Sequence, residues 1–148
     1  MKMICRNRKA YFDYAIDDLF EAGLVLKGTE VKSLRLGKAN IEDAYARFRD
    51  GEVFLINAHI SPYPHAAGDN HEPTRPRKVL LRRRELKRLL GKLTERGYTL
   101  IPLKLYFKDQ YAKVELGLAK GKKKFDKRET IRAREEQREL ERARKRRH

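Results

Sequence analysis

Three basic residues recur at three-residue intervals in the first third of the chain. Lys32, Arg35 and Lys38 fall in and just after a segment with the pattern of a short helix, and Asn40 follows two residues later. Cationic side chains along one strip can neutralise consecutive phosphates of a nucleic acid. The four residues are therefore candidate contacts to a polyanion.

A second group combines cations with aromatic rings. Lys104 and Lys113 are predicted on the outward faces of two strands, close to Tyr106 and Tyr111. This combination suits RNA, because phosphates take up the positive charge and unstacked bases stack on the rings. The alternative is a Lys-rich exterior that only keeps the protein soluble.

Residues that could support catalysis or hold a metal are sparse. His59, His65 and His71 are six residues apart, a spacing that fits neither a helical nor a strand metal site, so we expect surface histidines. Gly121–Lys124 lacks the upstream glycine and the following Ser or Thr of a triphosphate-binding loop. We therefore predict no metal, no cofactor and no enzymatic activity. An RNA hydrolase that uses the His-containing loop is the enzymatic alternative.

One acidic residue, Glu21, stands just before Gly23 in an otherwise basic protein. It could accept a specific hydrogen bond or only form a salt bridge, and the sequence leaves both interpretations open.

The overall charge narrows the class of partner. The 148 residues include 37 Lys and Arg against 21 Asp and Glu, a formal net charge of +16. Such an excess attracts a nucleic acid, an anionic membrane or an acidic protein. No stretch approaches about 18 consecutive apolar residues, and the N-terminus lacks the apolar run of a secretory signal. With Cys5 as the single cysteine, we expect a cytoplasmic protein without disulfides or a membrane partner.

The charge is densest in the last 29 residues, 120–148, which contain 14 basic and 6 acidic residues. Their few apolar side chains cannot offset the entropy of ordering. Asp126 and Glu129 nevertheless have the spacing of a capping box, and opposite charges follow at helical intervals. We predict a folded domain over residues 1–119 and a basic tail over 120–148 that is disordered when free and helical against a polyanion. A permanently disordered arm is the alternative.

Two β-hairpins are predicted in the folded domain. The first spans Ala44–Ile60 with Asp50-Gly51 at its turn, since Asp-Gly supplies the positive φ angles of a two-residue turn. The second spans residues 98–119 and turns at 108–110. Strict alternation predicts that apolar side chains of one arm of each hairpin share a face. In the first hairpin these are Phe54, Ile56, Ala58 and Ile60, and in the second they are Ile101, Leu103, Leu105 and Phe107.

Two helices interrupt these strands. A stripe of leucines between positions 86 and 93 predicts a helix over residues 83–96, ended by Gly97. A shorter helix is predicted over Thr29–Leu36, with Thr29 as its cap, and four prolines mark Ser61–Arg77 as a long loop. The pattern indicates a mainly β (α+β) fold, a small closed antiparallel β-barrel of the oligonucleotide-binding type with flanking helices.

The chain resembles the SsrA-binding protein (SmpB) family over nearly its whole length. The resemblance is carried by Glu21–Arg35, Arg75–Leu81 and the shorter motifs Gly37–Asn40, Asp50–Glu52, Ile60–Tyr63, Arg84–Leu86, Gly97–Thr99, Pro102–Tyr106, Leu118–Lys123 and Asp126–Arg128. It implies a factor that binds the tRNA-like domain of transfer-messenger RNA and delivers it, with elongation factor Tu, to stalled ribosomes for trans-translation. A general RNA-binding barrel or a ribosomal protein, whose tail only adds charge, is the alternative.

The resemblance also implies roles for individual residues. Those matched to the RNA-binding surface are Glu21, Leu80 and Lys113, with Tyr14, Tyr45, Lys120, Lys122 and Lys123 as further positions. Arg82 belongs to the same expected surface, although the family often has a small polar residue there. The tail is expected to lie in the empty decoding site and messenger channel of the small subunit. The residues matched to its hinge and start are Gly121, Phe125, Asp126, Lys127 and Arg128. We expect a monomer.

Overall fold

The computed structural model describes residues 1–94, 97–121 and 134–143. Residues 134–143 are helical and exposed. No helix in the described ranges is both long and apolar enough to cross a membrane. The other elements are, in chain order, β1 (Lys2–Arg6), α1 (Arg8–Asp13), β2 (Tyr14–Leu24), α2 (Gly28–Arg35), β3 (Ala39–Asn40), β4 (Tyr45–Arg49), β5 (Glu52–Ile56), β6 (His59–Ile60), β7 (Arg77–Leu80), α3 (Arg83–Leu93), β8 (Tyr98–Lys108) and β9 (Tyr111–Gly121).

Six antiparallel strands form a ring in the order β8, β4, β5, β7, β2 and β9. The ring closes because β9 pairs with β8 along its whole length, while β4 meets β8 through the single pair Ala46–Leu100. Strand β1 extends the sheet beside the other part of β8, and β3 and β6 form a separate two-stranded sheet. The mainly β fold with flanking helices agrees with the prediction from sequence.

The apolar side chains form two clusters. The larger one fills the inside of the ring and includes Phe20, Leu55, Leu105 and Leu116. Each fully buried side chain of this size stabilises the fold by about 1.5–3 kcal/mol. The smaller cluster lies on the outside of the ring against α1 and consists of Ala10, Ile101, Leu103 and Ala119.

Both predicted hairpins are present, and each has a two-residue turn. The first is shorter than predicted, because its second arm ends at Ile56 and His59–Ile60 pairs with β3 instead. Asp50 and Gly51 have φ angles of 51° and 78°, and Asp109 and Gln110 have φ angles of 51° and 70°. Positive φ at both central residues gives the backbone twist that suits neighbouring antiparallel strands.

The alternation predicted for β8 is wrong, because the register shifts just after Pro102. Such a β-bulge adds one residue to a strand and reverses the faces that follow. Ile101 and Leu103 therefore pack against α1, whereas Leu105 and Phe107 pack inside the ring.

The alternation predicted for the second arm of the first hairpin is also wrong. Phe54 and Ile56 alternate with buried residues of β5 and point to the outer face. Asn57, with a φ angle of 62°, breaks the strand after them, so the apolar residues that follow do not continue on that face. The side chains that reach the core are Val53, Leu55, Ala58 and Ile60.

The predicted helices are present with adjusted ends. Helix α3 begins at Arg83 as expected and runs through Gly91 to Leu93, and Gly97 has a φ of 90°. Helix α2 is capped differently from the prediction. The Glu30 carboxylate, not Thr29, accepts the hydrogen bond from the Lys27 N–H at 2.7 Å.

A buried ion pair ties the loop over residues 61–76 to α2. Glu30 and Arg77 have no exposed side-chain surface, and Arg77 Nε lies 2.5 Å from Glu30 Oε2. Arg75 Nη2 lies 2.5 Å from the other carboxylate oxygen, and Arg77 also donates to the carbonyl oxygens of Ala58 and Pro73. Burial by itself would raise the pKa of Glu30, but hydrogen bonds from Arg75, the Lys27 N–H and Arg77 outweigh it and hold this pKa below its usual value.

The expectation of surface histidines is wrong for His71, which is buried. Its Nε2 lies 2.8 Å from the Ile60 carbonyl oxygen and its Nδ1 lies 2.9 Å from Thr29 Oγ1. Because a carbonyl oxygen can only accept, Nε2 donates to Ile60, and in a neutral imidazole ring the Thr29 hydroxyl donates to Nδ1. His71 thus joins the loop to α2, and this contact occupies the hydroxyl that was expected to cap the helix.

The last strand extends two residues beyond the boundary suggested by the sequence. Lys120 and Gly121 belong to β9 and pair with Ala15 and Tyr14 of β2. Backbone pairing rather than side-chain hydrophobicity holds these two positions, so composition gave no sign of them.

Candidate nucleic-acid interface

Four strands bring side chains from distant parts of the chain into one row on the outer face of the ring. Leu80 of β7 lies opposite Gly23 of β2, Gly23 lies opposite Lys113 of β9, and Lys113 lies opposite Tyr106 of β8. We call these four residues, together with Glu21, the outer row. Its formation depends on strand register, since neighbouring strands are about 4.8 Å apart.

Gly23 leaves room in the middle of the outer row. A Cβ atom at this position would lie 3.5 Å from Leu80 Cβ and 3.9 Å from Lys113 Nζ. The absent side chain therefore allows the Leu80 and Lys113 side chains to approach one another. Leu80 is 50% exposed and gives the row an apolar contact surface beside a cation.

Glu21 lies on the same face as Gly23, two residues earlier in β2. Tyr106 Oη donates a hydrogen bond to Glu21 Oε2 at 2.5 Å, and Lys108 Nζ lies 3.3 Å from Oε1. The Tyr106 hydrogen bond and the charges of Lys108 and Lys113 lower the pKa of Glu21, and burial next to Glu21 raises the pKa of Tyr106. The carboxylate is therefore ionised at neutral pH and makes both of the interactions that the sequence left open.

The outer row combines three kinds of contact that RNA recognition uses. Lys113 can neutralise a phosphate, and Leu80 can pack against a ribose or a base. The carboxylate of Glu21 has remaining acceptor capacity for a base N–H or a 2′-hydroxyl. Tyr106 was noted in the sequence as an aromatic neighbour of the lysines. Its role as the donor to Glu21, 85 residues away in sequence, depends on β9 pairing with both β2 and β8.

The basic residues predicted as a strip around α2 are all exposed. Lys32 Nζ lies 5.5 Å from the ring centroid of Tyr63, whereas Arg35 borders a depression at the β8–β9 turn with Phe107. Lys38 is exposed after the helix. Asn40 is also exposed, and its Oδ1 accepts a hydrogen bond from the Glu42 N–H at 2.9 Å, which shapes the local turn.

Tyr14 and Tyr45 border one depression of about 340 Å³, which also includes Asn7 and Asp13. Tyr45 is 40% exposed, so its ring is accessible for stacking. The structure thus brings these two tyrosines together near α1, at a place distinct from the outer row.

The remaining predicted positions lie around the ends of β9 and β7. Lys120 Nζ lies 5.0 Å from the ring centroid of Tyr98, whose hydroxyl donates to Asp17. Gly121 ends β9, and Arg82 is exposed at the start of α3. Lys122, Lys123, Phe125, Asp126, Lys127 and Arg128 lie outside the described residues.

Within ranges 1–94, 97–121 and 134–143, no cluster of three or more His, Cys, Asp or Glu side chains is arranged to hold a metal ion. The thiol of Cys5 is half-buried, and burial raises its pKa to about 11. This thiol is therefore protonated and unreactive at neutral pH.

The family model described as SmpB protein matches residues 4–146. This chain belongs to the SmpB family. Among curated relatives, the SsrA-binding protein of Syntrophobacter fumaroxidans is 64% identical over 99% of this chain and 91% of its own length. The SsrA-binding protein of Carboxydothermus hydrogenoformans is 59% identical over 96% of this chain and 95% of its own length. The resemblance read from the sequence motifs is confirmed.

A solved structure supports the same family at the level of the fold. The chain described under "tmRNA-SmpB: a journey to the center of the bacterial ribosome" superposes with a TM-score of 0.68 at 51% identity. The match covers 86% of this chain and 94% of that one. The ring of strands is thus shared with an SmpB protein that has been studied in the setting of the bacterial ribosome.

Proposed function

We propose that this protein binds the tRNA-like domain of transfer-messenger RNA and delivers it to stalled ribosomes for trans-translation. The observation that carries the proposal is the outer row of an SmpB-family chain, where exposed Leu80, the Lys113 ammonium and ionised Glu21 lie together. The likeness to a solved SmpB chain described with transfer-messenger RNA supports it.

In this proposal the ring is a barrel of the oligonucleotide-binding type that acts by binding alone, without catalysis. Lys113 neutralises a phosphate, Leu80 packs against the sugar or base beside it, and Glu21 accepts a hydrogen bond from the RNA. Tyr106 holds the Glu21 carboxylate in place through its 2.5 Å hydrogen bond. The preformed arrangement reduces the entropy lost on binding.

The tail completes the proposed role on the ribosome. It leaves the ring where Gly121 pairs with Tyr14 at the end of β9. We propose that its basic residues, including Lys122, Lys123 and Arg128, enter the empty decoding site and messenger channel, where rRNA phosphates would stabilise a helix. Elongation factor Tu would accompany a monomeric protein in the cytoplasm during delivery.

A selectivity assay tests the RNA partner. At fixed salt, the protein should bind transfer-messenger RNA more tightly than a duplex RNA of equal length. Equal affinity for both RNAs would favour the alternative of a general RNA-binding barrel or a ribosomal protein, because phosphate contacts alone do not distinguish the two ligands.

Truncation tests the division of labour between ring and tail. A protein ending at Gly121 should retain most of its affinity for transfer-messenger RNA and lose tagging on stalled ribosomes. Full tagging by the truncated protein would contradict the proposed role of the tail. A protein with His59, His65 and His71 replaced by Ala should still tag if RNA hydrolysis has no part in the function.

A further inference from the structure

A second concave surface lies on the outer face of strands β4 and β5, apart from the outer row. It is a depression of about 390 Å³ whose lining residues are Arg47, Phe48, Arg49, Phe54, Ile56 and Pro76. We call it the β4–β5 pocket. Its floor is apolar, and its edge carries the guanidinium groups of Arg47 and Arg49.

Strand register sets the aromatic ring of Phe54 between cations. Phe54 of β5 lies opposite Arg47 of β4 on one side and opposite Lys78 of β7 on the other. The side chains of Phe54 and Ile56 are only partly buried, because both point away from the core. An accessible aromatic ring beside cationic groups is a platform on which a nucleic-acid base can stack.

The ion pairs at this edge involve Lys78 rather than the two arginines, among the residues that the structure describes. Lys78 Nζ pairs with the Glu52 carboxylate at 2.9 Å. Arg47 and Arg49 are exposed and form no ion pair with any residue of the described ranges. In a chain with a net charge of +16, free guanidinium groups at one pocket select an anionic ligand.

The pocket lies beside two surfaces that the sequence predicts to contact RNA. Tyr45 lies directly opposite Ile56, so the pocket borders the depression that Tyr45 shares with Tyr14. Lys78 is two residues from Leu80 on β7, so the other side of the pocket leads to the outer row. An RNA chain that crosses from one surface to the other would pass over this pocket.

We propose that the β4–β5 pocket binds one unpaired nucleotide of an RNA strand. The base stacks on Phe54 over the apolar floor, and the guanidinium groups of Arg47 and Arg49 hold the flanking phosphates. The identity of the ligand as RNA rests on the proposed function, whereas the pocket's preference for an unstacked nucleotide follows from its own shape and charge.

The test uses the full-length protein and a uridine tetranucleotide that carries a photoreactive thiouridine. Phe54→Leu keeps an apolar side chain and removes the stacking surface, and Arg47→Ala removes one proposed phosphate contact from an exposed position. Each should weaken tetranucleotide binding about tenfold, within the range measured for one stacked base or strong contact. Arg84→Ala, which removes an exposed arginine on α3, is the matched control and should change the affinity less than about twofold. Cross-links should map to the peptide that contains Phe54.

Several results would overturn the inference. Unchanged affinity in Phe54→Leu and Arg47→Ala, an equal loss in Arg84→Ala, or cross-links confined to other strands would each do so. A concentration-dependent dimer that Phe54→Leu abolishes would identify a second copy of the chain as the occupant instead. Arg47→Ala serves if Phe54→Leu fails to fold, because the arginine side chain is exposed.

Failure of the pocket and failure of the proposed function give different results. Suppose that Lys113→Ala weakens binding to transfer-messenger RNA, while Phe54→Leu and Arg47→Ala bind both transfer-messenger RNA and the tetranucleotide normally. The pocket assignment is then wrong and the proposed function stands. If the protein shows no preference for transfer-messenger RNA over duplex RNA, the proposed function is wrong whatever the tetranucleotide result.

Discussion

Two carboxylates of this protein each lie among cations, and they differ in burial. Glu30 is fully buried between Arg75 and Arg77, whereas the side chain of Glu21 is 43% exposed beside Lys108. The pKa of each carboxyl group is lowered, so both are ionised at neutral pH. A carboxylate beside cations is therefore found in two different environments, with arginines around Glu30 and with Tyr106 and lysines around Glu21.

Burial decides what each cluster can do. Glu30 and Arg77 have no exposed side-chain surface and are out of reach of a ligand, so with Arg75 they fix the loop over residues 61–76 against α2. Breaking a buried pair is costly because a charge remains without a partner or water. Glu21 and Lys108 are exposed to solvent, so their ion pair contributes little to stability and the Glu21 carboxylate remains accessible to RNA.

The largest expected effect is the loss of the buried carboxylate. Glu30→Gln should lower the free energy of unfolding by about 3–5 kcal/mol, because Arg77 would stay buried without a counter-charge. Urea denaturation measures this. Glu52→Gln is the control, since it breaks the exposed pair with Lys78 and should cost less than about 1 kcal/mol. Similar losses in the two variants would contradict the contrast drawn from burial.

Acid should reveal the same contrast as a pH dependence. A carboxyl group whose pKa is lower in the folded protein stabilises it above the unfolded pKa, about 4.3 for glutamate, and this stabilisation is lost as the pH falls through the folded pKa. The free energy of unfolding should therefore fall below about pH 4.3, with a shallower fall in Glu30→Gln. Denaturation at a series of pH values measures both slopes, and identical slopes would show that Glu30 is not the group responsible.

Lys113→Ala should affect RNA binding rather than folding. Loss of one phosphate contact should weaken the affinity for transfer-messenger RNA and reduce the slope of log affinity against log salt by about one. Lys87→Ala, on α3, is a control of equal charge change and should leave the slope nearly unchanged. An unaltered slope in Lys113→Ala would mean that its ammonium does not contact a phosphate.

The smallest effect on stability is expected at the exposed carboxylate. Glu21→Gln should change the free energy of unfolding by less than about 1 kcal/mol, because Lys108 and Lys113 remain hydrated without it. Binding to transfer-messenger RNA should nevertheless weaken, since an ionised acceptor is lost from the outer row. A large loss of stability together with normal RNA binding would reverse the roles given to Glu21 and Glu30.

Several parts of the fold depend on local chemistry and were predictable. Asp50-Gly51 and Gly97 adopt the positive φ angles expected of them, and the leucine stripe forms α3. The long strand β2 was missed, although Phe20, Ala22 and Leu24 alternate with exposed positions along it. Its acidic and small outward residues concealed the pattern.

Other parts could not be read from local patterns. The bulge after Pro102 depends on the register between β8 and β9, and Asn57 redirects the chain only because of its positive φ. His71 is buried because a loop folds back onto α2, where Thr29 and the Ile60 carbonyl satisfy both ring nitrogens. Partners distant in sequence decided each of these features.

The sequence by itself determined the family, the basic character of the chain and the types of residue that contact a polyanion, because motifs and charge are properties of the chain. Only the tertiary structure placed Leu80, Gly23 and Lys113 side by side and put Glu30 inside while leaving Glu21 at the surface. The register of antiparallel strands and the exclusion of water are set by contacts between segments far apart in sequence. Composition and periodicity describe one segment at a time, so they do not predict contacts between distant segments.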